Sequence, residues 1–208
     1  MHTKNSPDGR RRPTFIEQAR RAQIVAAAAE TVADVGYANA SLTQIAERAD
    51  ISKSVISYHF SGKHELLTLV VTQFFEKTWE YMQGRIEAAT TAAGKVHAWV
   101  ASQMAYFGMH RADFLAMTDI VMSHRAPDGS RPFSDAENEE IAELTEILLA
   151  GQRDGEFRDF DPRNVATIVI RCTEGVLGAW AMDEHVDLEG QTAALLDFID
   201  HAIRQDDR

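Results

Sequence analysis

Apolar residues recur along this chain at helical spacing and almost nowhere at alternating positions. From Phe15 to Val35 the inward set is Ile24, Ala27, Ala28, Thr31, Val32 and Val35, and Gly36 supplies the stop. After Ser61-Gly62 a long helix runs at least to Thr90, with Leu66, Leu67, Val70, Val71, Phe74, Phe75, Thr78, Trp79 and Met82 on a broad apolar face. Further helices are predicted over about 95–110, 112–124, 134–153, 162–182 and 189–204. Asp161-Pro162 reads as a cap followed by a proline in the first helical position. Pro127-Asp128-Gly129-Ser130-Arg131-Pro132 is the clearest loop. No strand pattern, internal repeat or low-complexity tract interrupts this. The pattern predicts an all-α fold of about nine helices.

Between the first and the long helix, Ser41 to Lys63 reads SLTQIAERADISKSVISYHFSGK. Ser41 and Gln44 form a capping-box pair. Ile45, Ala46 and Ala49 face inward, Asp50-Ile51 makes a turn, and Ser52 can cap a second short helix. On that helix Lys53, Ser54, Ser57 and Tyr58 share one arc, while Val55, Ile56 and Phe60 share the opposite arc. A short helix anchored by three apolar residues and displaying Lys, two Ser and a Tyr suits a major groove. Lys53 and Ser54 stand at its start, where side chains meet base edges. Tyr58 can donate its hydroxyl to a phosphate. Thr43, in the first turn of the preceding helix, suits a phosphate as well. Lys63 opens the long helix, where a cation opposes the helix dipole, and a phosphate partner explains it better than helix stability. The wheel puts His59 on the inward side.

This segment resembles the DNA-binding part of the TetR family of bacterial transcriptional regulators. The ending Tyr58-His59-Phe60-Ser61-Gly62-Lys63-His64-Glu65-Leu66 and the lead-in Gly36-Tyr37 then Ser41-Leu42-Thr43-Gln44-Ile45-Ala46 carry the resemblance, which covers roughly residues 20–70. Leu42 and Ser57 stand where many members have Thr and Tyr. The resemblance implies DNA contacts at Thr43, Ser52, Lys53, Ser54, Ser57, Tyr58, His59 and Lys63. For His59 it suggests a phosphate contact against the inward position given by the wheel. It also implies an N-terminal three-helix helix-turn-helix domain over 15–62, preceded by a disordered basic arm over 1–14. A helical effector-binding and dimerisation domain would follow over 63–208.

The charge distribution agrees with one nucleic-acid-binding end. The net charge of −11 argues at first against DNA. Residues 1–63, however, carry a net +3 and residues 64–208 a net −14. The acidic body also serves solubility. Arg10-Arg11-Arg12 in the arm could reach a minor groove or remain a solvated tail. A single cysteine, Cys172, excludes an intramolecular disulfide framework and a CxxC metal knuckle. No run approaches about 18 uncharged apolar residues, and the polar N-terminus lacks a leader's apolar core. A cytoplasmic protein with no membrane contact is expected.

Catalytic chemistry has little to stand on. Gly62-Lys63 and Gly94-Lys95 lack the spacing of a phosphate-binding loop, and GxGxxG, GxSxG and HExxH are absent. No catalytic residue, cofactor or metal ligand is expected. His97, His110 and His124 could meet in a cavity, but scattered histidines are more often satisfied surface or core groups. Glu137, Glu139, Glu140, Glu143 and Glu146 read as a solvated helix face.

Two features of the body carry the remaining expectations. The stretch 162–182, with Val165, Ile168, Val169, Cys172, Val176, Leu177 and Trp180, leaves little polar surface and must be covered on more than one side. Ala193, Leu195, Leu196, Ile199, Ala202 and Ile203 line one side of the last helix, and Gly175 and Gly178 permit close helix approach. These two helices either close the chain's own core or form half of an intersubunit four-helix bundle, with Val176, Leu196 and Ile199 at the interface of a homodimer. The resemblance implies the dimer. It also implies an effector cavity, placed here between the long helix and those near 95–124 and 162–182, with Trp79, Trp99, Met104, Phe107 and Met122 as wall residues. A mainly apolar organic molecule is the expected ligand, and Asp113, Asp119 and Glu174 leave room for a cationic one. The function expected is that of a ligand-responsive repressor binding a palindromic double-stranded operator. A helix-turn-helix protein without an effector, controlled by a protein partner or acting architecturally, is the alternative.

Overall fold

The computed structural model describes residues 14–125, 129–183 and 185–205. The arm read over 1–14 lies outside these residues except for Thr14, as do Pro127 and Asp128 of the loop. Among the described residues the chain forms helices α1 (Phe15–Val35), α2 (Leu42–Arg48), α3 (Lys53–His59), α4 (Lys63–Ala88), α5 (Ala92–Met109), α6 (Arg111–Ser123), α7 (Ser134–Arg153), α8 (Pro162–Met182) and α9 (Leu188–Ile203), and no strand of a sheet.

Local chemistry sets most of the boundaries. Thr14 with Glu17, and Ser41 with Gln44, build complete capping boxes for α1 and α2. Gly36 ends α1 at φ 80°, a conformation open to glycine at little cost. Asp50 makes the α2–α3 turn at φ 51°. The side chains of Asp161 and Asp187 cap α8 and α9.

One boundary differs from the periodicity reading. α5 begins at Ala92 rather than near 95, because two groups satisfy its first amides. Thr91 Oγ1 accepts from Gly94 N–H at 3.0 Å, and the Glu156 carboxylate, remote in sequence, accepts from Ala92 and Ala93 N–H at 3.0 Å each.

α1 packs on α2, α4 and α6, and α3 packs on α2. α5 runs through the body against α4, α7 and α9, with Val96, Trp99, Val100 and Met104 almost fully buried. α8 packs on α7 and α9. By length and composition alone α8 is long and apolar enough to cross a membrane, a feature the residue count over the chain did not anticipate. Here it lies against α7, and Arg171 pairs with Glu137 on α7 and with Glu174 one turn on.

At the crossing of α5 and α7, Gly151 admits no larger residue. An added Cβ would lie 2.2 Å from the Phe157 ring and 2.8 Å from the Ala92 side chain. Gly151→Ala gains helix propensity of about 1 kcal/mol, but the overpacking costs more. A net loss of about 2 kcal/mol is expected in urea unfolding.

Candidate nucleic-acid interface and the cavity behind it

Ile45, Ala46, Ala49, Ile56 and Phe60 are buried and fix α2 and α3 on the core made by Ile24 and Ala28 of α1 and Leu66 and Leu67 of α4. Polar clamps complete the anchoring. Gln23 Nε2 donates to the Ala49 carbonyl at 2.8 Å, which holds the end of α2. Arg21 donates to the His59 carbonyl at the end of α3 and stacks 4.2 Å from the Phe60 ring. Arg48 pairs with Glu30 and Asp34 across α1 and α2. Glu65 accepts from the Ser61 N–H and hydroxyl, 2.7 Å each, and these bonds hold its carboxyl below the ordinary range.

The opposite side of α3 is open. Thr43, Ser52, Lys53, Ser54, Ser57 and Tyr58 are all exposed, and Tyr58 is 76% exposed despite its ring. Ser52 holds the N-cap position but does not cap. Its Oγ is shared with Ser54 Oγ at 2.7 Å, and no side chain accepts from the first-turn amides of α3. Val55 N–H donates instead to the Ser52 carbonyl at 3.0 Å. His59 is half-buried, with its ring edge-on to Tyr58 at 5.0 Å.

Lys63 sits differently from the other predicted contacts. Its Nζ donates to the Tyr37 carbonyl at 2.6 Å and lies 4.5 Å from the Tyr37 ring, and burial lowers its pKa. It is part of a joint between head and body that sequence reading missed. Tyr37 N–H donates to Asp119 Oδ2 at 2.6 Å, and Tyr37 Oη is bonded to His124 Nδ1 at 2.8 Å. The His64 ring stacks on His124 at 4.4 Å. Burial, and then the nearby His64, Lys63 and Arg125, hold His124 below the ordinary imidazole range. The turn after α1 is thus tied to the far end of α6.

Behind the joint a cavity of about 260 Å³ lies between α4, α5 and α7. Trp79, Trp99 and Phe107 line it as expected, and the two indoles meet at 5.7 Å. Met104 and Met122 do not. Met104 is 2% exposed and turns to the α9 side of α5, because it follows Gln103 by one helical step of about 100°. Met122 is 61% exposed on α6. α8 contributes no wall, and α7 takes its place.

The α7 side corrects the reading of its glutamates as a solvated face. Glu139, Glu140 and Glu143 line the cavity, and Glu140 accepts from Gln103 Nε2 at 2.8 Å. Burial pushes Glu140 up to about 7, against the effect of that bond and with help from Glu174 and Glu143. Burial raises Glu143 too. Of the three acids first considered for a cation, Asp119 belongs to the joint, Asp113 lies beside His110, and Glu174 pairs with Arg171 at 2.6 Å. None of them lines this cavity.

Ile199, expected at a subunit interface, is 3% exposed and points into its own chain's core, while the adjacent Phe198 is 61% exposed. The inward stripe of α9 is Leu195, Ile199 and Ile203, and Phe198, one helical step of about 100° before Ile199, faces outward. Val176 and Leu196 are half-buried. His97 pairs with Asp200, His110 with Asp113 and His124 with Tyr37, so the three histidines do not converge.

Residues 24–70 match the family model of bacterial regulatory proteins of the tetR family. The chain is 41% identical over 58 residues to the HTH-type transcriptional regulator BetI 1 of Chromohalobacter salexigens, covering 28% of this chain and 29% of that one. It is 27% identical over 192 residues to the A-factor receptor protein of Streptomyces griseus, covering 87% of this chain and 64% of that one. These alignments span less than two thirds of either relative. The fold matches the fatty acid degradation regulator FadR from Bacillus halodurans with a TM-score of 0.78 at 18% identity, over 98% of this chain and 100% of that one. It matches the ketosteroid transcriptional regulator KstR2 of Mycobacterium tuberculosis with a TM-score of 0.75 at 16% identity, over 90% and 96%. With its capped α2–α3 unit, its family motif and a fold shared along nearly its whole length, the chain belongs to the TetR family of bacterial transcriptional regulators.

Proposed function

We propose that the protein is a cytoplasmic repressor that binds a palindromic operator as a homodimer and releases it when a small molecule enters the cavity. In this reading a DNA-binding head spans 15–62 and an effector and dimer body spans 63–208. The observation that carries the reading is the outer face of α3. Lys53, Ser54, Ser57 and Tyr58 are exposed on a helix whose other side is locked by Ile56, Phe60 and the Arg21 clamp.

In the groove, Lys53 and Ser54 read base edges, while Thr43, Ser52 and Tyr58 hold phosphates. His59 adds a phosphate contact from the rim. Lys63 keeps two N–H groups beyond its bond to Tyr37 and can still reach the backbone. Lys53→Ala is expected to relax base preference and to cost about 1–3 kcal/mol of specific binding. Selection of bound duplexes from random DNA, for both proteins, checks this. Identical preferred sequences and affinities would remove Lys53 from base reading.

The dimer is assigned to α8 and α9. Ile168 is 56%, Met182 91% and Phe198 61% exposed, and the helix face between them holds Gly175 and Ala179. An added Cβ at Gly175 or Gly178 would meet nothing within 4 Å, so a partner helix can approach closely there. Half-buried Val176 and Leu196 border the patch.

Ligand control follows from the position of α4. It carries cavity residues Trp79 and Met82 at one end and Lys63 and His64 of the joint at the other. A shift of α4 on filling the cavity would move the head against Tyr37 and change the spacing of the two recognition helices. A tenfold change in operator affinity needs only about 1.4 kcal/mol of differential binding between the two spacings. Repeating the selection with candidate ligands present tests this. Operator affinity that no cavity ligand changes would favour a regulator without an effector.

A further inference from the structure

We propose that the α4–α5–α7 cavity takes an organic ammonium ion, a protonated amine on a compact aromatic or apolar body. The inference rests on the effector reading above and names the ligand class of that site.

Four carboxylates, Glu76, Glu139, Glu140 and Glu143, line the cavity, and no Lys, Arg or His does. None of the four is paired with a base among the described residues. Glu76, Glu139 and Glu143 are exposed and form a negative rim, while Glu140 is half-buried. Of the bases that approach α7, Arg171 is held by Glu137 and Glu174, and Arg163 donates to Asn138 Oδ1.

A cluster of acids alone would be only a solvated patch. The independent observation is deeper. Gln103 is 7% exposed, its Nε2 is spent on Glu140, and its Oε1 is buried with no hydrogen-bond partner. A buried acceptor left unpaired costs free energy unless a donor arrives. Gln103 is itself a wall of the cavity, so a donor bound there beside Glu140 is the one placed to answer it. An ammonium N–H satisfies Gln103 Oε1 and Glu140 together, whereas a carboxylate ligand would satisfy neither and meet four like charges. The walls suit the rest of such a molecule. Trp79, Trp99 and Phe107 offer ring faces to a cation and to an apolar body. At about 260 Å³ the space limits the ligand to a small one.

The test uses three probes of nearly one shape, tryptamine, tryptophol and indolepropionate, with calorimetric binding and operator affinity read on the same full-length protein. Tryptamine is expected to bind at least tenfold more tightly than tryptophol, with indolepropionate weakest. Glu140→Gln should close most of the gap between amine and alcohol without weakening tryptophol. Equal or tighter binding of the alcohol or the acid, or no binding of the amine, overturns the inference. Amine binding that leaves operator affinity unchanged supports the ligand class and instead sinks the effector reading.

Discussion

Replacing Ile168 by glutamate is expected to turn a dimer into a monomer and to lower operator affinity by about 100-fold or more. Ile168 is 56% exposed, so within one chain the substitution changes little, and folding stability should stay within about 0.5 kcal/mol. The effect appears only on association. On α8 the exposed positions Ile168, Gly175, Ala179 and Met182 run along one side with half-buried Cys172 among them, and Phe198 is exposed on α9, which packs on α8. Two such faces brought together by a two-fold axis bury an apolar surface of the kind found in obligate dimers. A carboxylate at its edge, repeated on both partners, must be desolvated beside a like charge. Each monomer then holds one recognition helix against one half-site, and the gain from tethering the second is lost. Ile199→Glu gives the contrasting result. It buries a charge in the core of the single chain and should unfold it. Sedimentation and operator titration of the two variants separate these cases. An unmodified chain that sediments as a monomer at micromolar concentration would remove the dimer.

The same pair of residues shows what the sequence can and cannot reveal. The Ser41–Gln44 capping box, the Asp50 turn and the apolar arcs of α2 and α3 are local, so these two helices were legible in the sequence, although Ser52 does not cap α3 and the Thr14–Glu17 box of α1 was not read. The last helix was legible as a helix, but apolar residues stand on both of its sides. Periodicity cannot decide which of Ile199 and Phe198 meets its own chain. Only the position of α5 decides that. The cavity was legible in its tryptophans and misread in its acids for the same reason. Glu140 lies one turn from Glu137 and Glu143 on a helix rich in charge, and nothing local sets it apart. Gln103, 37 residues away on α5, makes the difference. The joint of Tyr37, Lys63, Asp119 and His124 spans 87 residues and has no local signature at all. Lys63 was read from its place at the start of a helix, where a cation is unfavourable. The structure supplies a local reason for its presence in the Tyr37 carbonyl and ring.

Glu140→Gln is expected to stabilise the protein in alkaline solution and to do nothing in acid. Glu140 titrates near 7 in the folded chain and near its ordinary value of 4.5 when unfolded. Between those values the folded state binds a proton that the unfolded state has lost, so stability falls as pH rises from about 4.5 to about 7 and is flat beyond. A shift of this size corresponds to about 3 kcal/mol, and solvent at the cavity mouth reduces that to roughly 2 kcal/mol. The groups responsible are the apolar walls first, then Glu143 on the same helix and Glu174 on α8, with the Gln103 bond opposing them. A glutamine keeps the shape and a partner for Gln103 but cannot ionise. Urea unfolding of both proteins at about pH 4 and pH 8 isolates this group, because titrations common to both proteins cancel in the difference. The two should coincide at about pH 4, and the variant should lead by about 2 kcal/mol at pH 8. Parallel stability profiles would mean that the carboxylate is well solvated. The cost falls where the proposed ligand acts. At neutral pH the empty cavity holds a carboxylate that burial penalises, and an ammonium ion beside it removes much of that penalty on binding. Affinity for the amine should therefore rise as pH increases through 7, and below that pH binding should release a proton. The residue that weakens the folded chain is then the one that gives the cavity its preference for a cation.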